Sequence, residues 1–399
     1  MRILHYHNAS DGMTTEYIRI ISSAMAEFAY LSGDGCIENV SATSLNDAIK
    51  AMNESRVDIV HFHGCWRDSD FMVAKKARNA GTRIVVSPHG QLEPWVVKQH
   101  YWKSRLPRII TYQKRIVNEA FAVVVMGRME ENCMKRLGWN SRIEVVRNSM
   151  ITDTITDKEM AKKMLYIYNK VMDTHTFALL GDEERLAFAS LIKAGVSKDS
   201  RWLTDNENAS ISRLTLVGWR RILIHAYHTS VSDTIADAID TLGLSRPDVK
   251  PEEIPCYLPR AEKRKGFFSK EIKPLPGVIA DEKGYHTESF SNFIKALHKH
   301  ANMNHLTIKD IFETAYQMRN VSIDERQLCE EMEEKSLDKF MSSLMQIMID
   351  YTGMEEGFLI VPPKNNRRAR RLAAMLDDEL AISHSLKNEN KKFISNPTI

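Results

Sequence analysis

The first 150 residues alternate short apolar, β-branched runs with amphipathic stretches of helical spacing. Strands that alternate with helices in this way indicate βαβ units, in which the strands run parallel and helices cover both faces. We therefore predict an α/β fold that begins with a Rossmann-like, doubly wound parallel sheet. The predicted strands are 2–6, 37–40, 57–62, 83–87, 122–126 and 143–146, and the predicted helices are 14–30, 44–53, 68–80 and 129–137.

From about residue 153 the pattern changes to long helical stretches. We predict a Rossmann-like domain over 1–152 and a mainly α-helical region of unassigned role over 153–399, with a candidate break within 247–276, a proline-containing stretch predicted to be extended. Predicted N-caps are Asp157, Thr307 and Asp324. The predicted helices are 157–172, 183–193, 211–227, 232–242, 287–300, 307–319 and 324–351, and the basic stretch 365–372 is also predicted to be helical.

Composition narrows the class of protein. A formal net charge of +3 over 399 residues argues against a strong polyanion partner, so we expect no nucleic-acid ligand. The cysteines are scattered without a C-x-x-C pair, which favours reduced thiols and a cytoplasmic location. We find no signal peptide and no apolar run of 18 residues, and peripheral contact with the inner face of a membrane stays open.

Two predicted strands end in a His-Gly pair, at His63-Gly64 and at His89-Gly90. In an open α/β sheet, ligands bind at the carboxyl ends of the strands. These two ends therefore predict a binding site. His61, His63 and Cys65 alternate along one strand and are a conceivable zinc set, but metal sites usually draw ligands from several elements, so we predict no metal.

His89 is the strongest single candidate. Pro88 and Gly90 place it where a strand turns into a loop. An imidazole there can hydrogen-bond a sugar hydroxyl or stabilise developing charge. Gly12, after the first strand, admits two interpretations, a close approach of backbone N–H groups to a phosphate or a tight turn at positive φ.

The loop after His89 combines aromatic rings with cations, including Trp95, Lys98, Trp102 and Lys103. This composition suits carbohydrate stacking or phosphate pairing. It equally suits a segment lying at a membrane surface. Both interpretations hold together if the acceptor substrate is linked to a lipid.

Three pieces of the predicted Rossmann-like domain carry a family resemblance. They are 58–64 (Asp-Ile-Val-His-Phe-His-Gly), 87–95 (Ser-Pro-His-Gly-Gln-Leu-Glu-Pro-Trp) and 143–149 (Ile-Glu-Val-Val-Arg-Asn-Ser). With the strand at 122–126 and the Glu130-Glu131 pair between them, they resemble the N-terminal, acceptor-side domain of GT-B glycosyltransferases of family 4. The third piece departs from the family pattern, since Ser149 stands where a glycine is usual. We recognise no second, donor-binding βαβ domain in the remaining 250 or so residues.

The resemblance implies a retaining, hexosyl-type transfer from a nucleotide-sugar to a glycan or lipid-linked acceptor in surface polysaccharide synthesis, with no separate cofactor. By position, His89 would be catalytic and contact the transferring sugar. Gly12 would lie near the donor phosphates, and Trp95 and Lys98 would belong to the acceptor loop. The substrate-binding set that it implies is Gly12, His63, Gly64, Gly90, Glu93, Trp95, Lys98, Glu130 and Asn148.

Two hypotheses from different classes follow. In the first, the chain is an active glycosyltransferase whose donor side is built by unrecognised C-terminal sequence or by a partner chain. In the second, it is a catalytically degenerate, glycosyltransferase-like binding or regulatory protein whose helical half engages a protein partner. A second parallel sheet in the C-terminal region would favour the first hypothesis, and a helical bundle would weaken it.

Overall fold

A computed structural model describes residues 1–32, 37–257 and 274–380. The chain forms two compact units, one of Met1–His175 with Ile254–Glu262 and the other of Thr176–Glu253 with Lys263–Ile399. The first unit extends beyond residue 152 because helix α8 (Asp157–Asp173) packs in its core. The domain boundary at 152 stays a prediction.

The first unit contains a six-stranded, fully parallel sheet in the order β2-β1-β3-β4-β5-β6. This confirms the predicted Rossmann-like sheet. The strand bounds are β1 Arg2–Tyr6, β2 Glu38–Ala42, β3 Ile59–His63, β4 Arg83–Ser87, β5 Ala122–Val125 and β6 Ile143–Val145.

Helices cover both faces of this sheet, because successive strand residues point to opposite sides. One side, the apolar face, is formed by Leu4, Tyr6, Val60, Phe62, Ile84, Val86, Val123 and Val125. The other, the histidine face, carries Ile3, His5, Ile59, His61, His63, Val85 and Ser87. The unit's helices are α1 Gly12–Ser32, α2 Leu45–Glu54, α3 Asp68–Asn79, α4 Pro94–Lys98, α5 Leu106–Arg108, α6 Lys114–Glu119, α7 Arg128–Leu137 and α8.

Side-chain caps mark the starts of several helices. The Ser44 hydroxyl accepts a hydrogen bond from the Asp47 amide and begins α2. Thr156, rather than the predicted Asp157, caps α8, since its hydroxyl accepts from the Glu159 amide while Asp157 lies in the first turn. Two π-helical turns, Tyr101–Arg105 and Ile109–Gln113, lie in the segment after α4, where we predict no helix or strand.

The described residues of the second unit, 176–253 and 274–380, contain helices and no strand. Two predicted helices are each broken in two. Thr215 caps a new helix within 211–227, and Ser336, at φ +54°, interrupts 324–351. The helices are α9 Asp182–Ser197, α10 Asp205–Ser212, α11 Leu216–His228, α12 Ser232–Thr241, α13 Thr287–Asn302, α14 Ile308–Asn320, α15 Glu325–Glu334, α16 Asp338–Thr352 and α17 Arg367–Leu380.

Part of the predicted extended connection, from 258 to 273, lies outside the described residues. Its described beginning holds only one short 3-10 turn, Pro251–Glu253. Within the described ranges, none of the helices combines the length and the apolar character needed to cross a bilayer.

Candidate active site

The histidine face places several imidazoles at the carboxyl edge of the sheet. His5 and His61 lie opposite each other on β1 and β3, and His63 follows on the same side of β3. All three are buried, and His89 lies just beyond β4, partly exposed. The structure thus brings the two predicted His-Gly ends together and adds His5, which the sequence analysis did not single out.

His89 is held in a defined backbone conformation. It adopts a left-handed φ of +50°, and Gly90 follows with φ +75°. A left-handed conformation is uncommon for a residue with a side chain, so the surrounding loop must support it. The Glu130 carboxylate gives that support, because it accepts hydrogen bonds from the Gly90 amide at 2.7 Å and the Met126 amide at 2.9 Å.

Glu130 therefore positions the His89 loop, and backbone amides occupy both of its carboxylate oxygens. It is buried, and burial raises its pKa although these two hydrogen bonds act in the opposite direction. Its predicted role in substrate binding remains a prediction.

Four side chains form a continuous line of hydrogen bonds, which we call the histidine string: Asn39, His5, His63 and His89. The Asn39 Oδ1 atom lies 3.0 Å from His5 Nε2, and His5 Nδ1 lies 3.0 Å from His63 Nε2. His63 Nδ1 in turn lies 3.1 Å from His89 Nε2. The string connects edge strand β2, across β1 and β3, to the loop after β4.

Aromatic packing fixes the string's outer end. The rings of His63 and His89 are nearly parallel, with an interplanar angle of 13° and centroids 5.4 Å apart. Tyr17, from α1, contacts both rings edge-on at 6.0 and 5.6 Å. Such edge contacts favour a single ring orientation.

His61 lies beside the string with separate partners. Its Nδ1 lies 2.6 Å from the Tyr168 hydroxyl and its Nε2 lies 2.8 Å from the Ser87 hydroxyl. His5, His61 and His63 offer ring nitrogens within 4.8 Å of one another, close enough to hold a metal ion. Hydrogen bonds nevertheless use both nitrogens of each of these rings. The Cys65 side chain packs in the apolar cluster of the opposite face and does not join the histidines, contrary to the conceivable zinc set.

These imidazoles are uncharged at neutral pH. Burial lowers the pKa of His5 to about 4 and that of His89 to about 4. Burial, together with the neighbouring histidines, lowers the pKa of His61 and His63 well below the ordinary value. A neutral imidazole offers one donor and one acceptor, so this site is suited to hydrogen bonding rather than to holding a fixed positive charge.

Gly12 begins α1 and is exposed. It does not have a positive φ, and a Cβ added there would meet no atom within 4 Å. The tight-turn interpretation is therefore wrong, and the backbone at Gly12 faces open space. Asp11, which the sequence analysis passed over, caps this helix through the Thr14 amide at 3.0 Å and interacts electrostatically with His89.

Gly64 permits close contact between the loops after β3 and β4. It has a φ of +87°, and a Cβ there would lie 3.0 Å from the Gln91 side chain. Gln91 Oε1 accepts from the Cys65 amide at 2.7 Å, and the Trp66 indole donates to the Gln91 carbonyl at 2.9 Å. Gln91 is a further residue that sequence reasoning missed, although it lies within the piece that carries the resemblance.

The other predicted binding residues are not part of the string. Trp95 and Lys98 lie on α4 with exposed side chains, and Glu93 lines a shallow depression with Met129, Asn132, Lys135 and Arg136. Asn148 is buried after β6, where its Oδ1 accepts from the Met150 amide at 2.9 Å. That hydrogen bond stabilises a turn.

Comparison with known proteins agrees with this architecture. Residues 37–149 match the family model described as "Glycosyl transferase 4-like domain", which spans β2 to β6 and includes all of the string except His5. No curated protein and no solved structure matched the chain. A glycosyltransferase domain acts on a sugar donor and an acceptor. Over residues 37–149 the chain is therefore similar to a glycosyltransferase family 4-like domain of the GT-B type, as the sequence resemblance indicates.

Proposed function

We propose that the chain transfers a hexosyl group, with retention of configuration, from a nucleotide-sugar to a glycan or lipid-linked acceptor in surface polysaccharide synthesis. The observation that carries this proposal is His89. It lies at the carboxyl edge of the matched domain, partly exposed, in a left-handed conformation that Glu130 and the histidine string support. Such backbone strain is common where a loop presents a side chain to a ligand.

The proposed reaction exchanges one glycosidic bond for another. The bond between the sugar's anomeric carbon and the leaving phosphate oxygen breaks, and a bond from that carbon to the acceptor oxygen forms. The acceptor hydroxyl loses its proton, which the departing nucleoside diphosphate can take up. A neutral His89 would orient the transferring sugar through a hydroxyl group, and the open backbone at Gly12 would admit the donor phosphates.

The acceptor side would involve the segment after His89. Trp95 is 67 % exposed and Trp102 is 78 % exposed, and Lys98 and Lys103 are exposed beside them. Aromatic rings with nearby cations suit a lipid headgroup region. A lipid-linked acceptor at the inner face of a cytoplasmic membrane is consistent with this surface.

One observation favours the alternative, a degenerate transferase that binds a protein partner through its helical half. In the described residues of the second unit, there is no strand from which a second nucleotide-binding sheet could be built. The two hypotheses differ in donor binding, since only an active transferase has to bind a nucleotide-sugar.

The test is thermal unfolding of the full chain against a panel of nucleotide-sugars and free nucleotides. At a concentration 100 times its Kd, a bound donor should stabilise the folded state by about 2.7 kcal/mol. We expect at least one nucleotide-sugar to raise Tm. A matched pair of variants, His89→Ala and His228→Ala, tests location, because His228 is an exposed histidine of the second unit.

We expect His89→Ala to fold and to reduce this stabilisation, while His228→Ala keeps it. If no nucleotide or nucleotide-sugar shifts Tm, the transferase proposal fails and the binding-protein alternative gains support. If His89→Ala unfolds the chain, His89→Asn replaces it, since asparagine also tolerates the left-handed conformation.

A further inference from the structure

In the histidine string, the direction of each hydrogen bond depends on the direction of its neighbour. Each of its imidazoles is neutral, and a neutral imidazole has one nitrogen that donates and one that accepts. His5 and His63 each use both nitrogens within the string. Where two imidazoles meet, one must donate and the other accept, so the donor choice at one end determines the choice at every later ring.

Asn39 determines which ring nitrogens donate and which accept along the string. Its side-chain oxygen, an acceptor only, lies 3.0 Å from His5 Nε2, so His5 carries its hydrogen on Nε2. His5 Nδ1 then accepts from His63 Nε2, and His63 Nδ1 accepts from His89 Nε2. His89 is left with its hydrogen on Nε2 and a lone pair on Nδ1. This Nδ1 has no hydrogen-bond partner within 1–32, 37–257 and 274–380.

The string ends in a group that cannot take up a proton. An amide oxygen is far too weakly basic to accept one at neutral pH, so the string does not conduct protons away from His89. Burial also opposes proton conduction, because an extra proton would place a positive charge among buried rings. The string therefore holds an orientation of hydrogen bonds.

We propose that Asn39, acting through His5 and His63, is a positioning residue that locks His89 in the tautomer with hydrogen on Nε2 and a bare Nδ1. The locked Nδ1 would accept a hydrogen bond, so it would select a ligand group that donates one, such as a sugar hydroxyl. It would disfavour a phosphate oxygen, which also only accepts. The choice of a sugar hydroxyl rests on the proposed function, whereas the tautomer itself does not.

The test is NMR of the full-length protein labelled with 15N-histidine, in which protonated and unprotonated ring nitrogens give separate resonances. Comparison with His89→Gln assigns the His89 signals. We expect Nε2 of His89 to carry the hydrogen and Nδ1 to be unprotonated at neutral pH. A hydrogen on His89 Nδ1 in the unmodified protein would overturn the proposal.

Variants at the far end of the string test the lock. Asn39→Leu removes the acceptor, and we expect the His89 Nδ1 resonance to shift towards the protonated position as both tautomers become populated. Asn39→Asp keeps an acceptor oxygen and should leave the tautomer unchanged. The matched control is Ser41→Ala on the same strand, which removes a hydroxyl 2.8 Å from His7 Nε2, outside the string.

An unshifted His89 signal in a folded Asn39→Leu variant would also overturn the lock. If that variant does not fold, the unmodified protein and Asn39→Asp still decide the tautomer. The predicted tautomer in a protein that binds no nucleotide-sugar would support the lock while the proposed function fails, so the two failures are distinguishable.

Discussion

The two faces of the parallel sheet come from the same strands but carry different chemistry. On the apolar face, Tyr6 and Phe62 continue the hydrocarbon packing to the carboxyl ends of β1 and β3. On the histidine face, Ile3 and Ile59 give way to His5, His61 and His63 over the same distance. Both sides are buried under helices.

This difference shows what the fold alone requires. Burial of apolar surface is the dominant favourable contribution to folding, and the apolar face supplies it throughout. Imidazoles in the equivalent positions gain less from burial and must be paired. Their presence at only one end, the end where α/β sheets bind ligands, connects them with the site rather than with stability.

The largest loss of stability is expected for a substitution on the apolar face. Phe62→Ala removes a fully buried ring and should lower the free energy of unfolding by about 3–5 kcal/mol, measured by urea denaturation. Leu216→Ala, at a leucine that is 84 % exposed, is the control and should change little. A loss below about 1 kcal/mol for Phe62→Ala would contradict the assigned core.

The histidine face should make stability depend on pH. Burial lowers the pKa of His5 from 6.5 to about 4 in the folded state, so between these values the unfolded state binds more protons. The contribution of neutral His5 to the free energy of unfolding is fully present above pH 6.5 and is lost as the pH falls towards 4. This contribution is about 3 kcal/mol for His5 alone. Urea denaturation at several pH values measures it.

His5→Gln should reduce this pH dependence by the contribution of His5, while those of His61, His63 and His89 remain. His228→Gln, at an exposed histidine, should leave it unchanged. A protein equally stable at pH 7 and pH 4.5 would show that the histidine face is open to water.

A smaller loss of stability is expected when a tyrosine hydroxyl is removed, and it should differ between the two faces. Tyr168→Phe leaves buried His61 Nδ1 without its partner and should lower the free energy of unfolding by about 1–3 kcal/mol. Tyr6→Phe on the apolar face removes a hydrogen bond to Ser69 that is only partly buried, and water can replace it. If urea denaturation gave equal losses of unfolding free energy for Tyr168→Phe and Tyr6→Phe, the two faces would not differ in how much they depend on paired polar groups.

The smallest effect concerns the exposed aromatic segment after His89. Trp102→Ser should weaken sedimentation with anionic lipid vesicles severalfold, since an inserted indole contributes on the order of 1–2 kcal/mol. Leu216→Ser removes a similarly exposed apolar side chain from the second unit and should leave sedimentation unchanged. No vesicle binding by the unmodified protein would contradict membrane contact.

The sequence predicts the sheet well because strand and helix periodicities are local signals. The ends of all six strands lie within two residues of the predicted ends. Long helices were predicted less well where a single residue stops them, as Ser336 does in the left-handed conformation, since serine carries no strong signal for that state.

The site was only partly predictable. His63 and His89 could be found because a glycine follows each at a strand end. Asn39 and His5 could not be paired with them from the sequence, since the register of β2, β1 and β3 brings them together. His5 and His7 do repeat the spacing of His61 and His63, and that repeat is the signal that could have identified His5 as a site residue.

The most direct test of sugar transfer at the histidine face is release of nucleoside diphosphate from a panel of nucleotide-sugars incubated with a panel of glycan and lipid-linked acceptors. We predict that the unmodified protein releases nucleotide from at least one donor. His89→Asn should lower the rate about 100-fold while keeping the fold, and His228→Asn should not lower it. Equal rates for His89→Asn and the unmodified protein, or no release from any donor, would contradict the account.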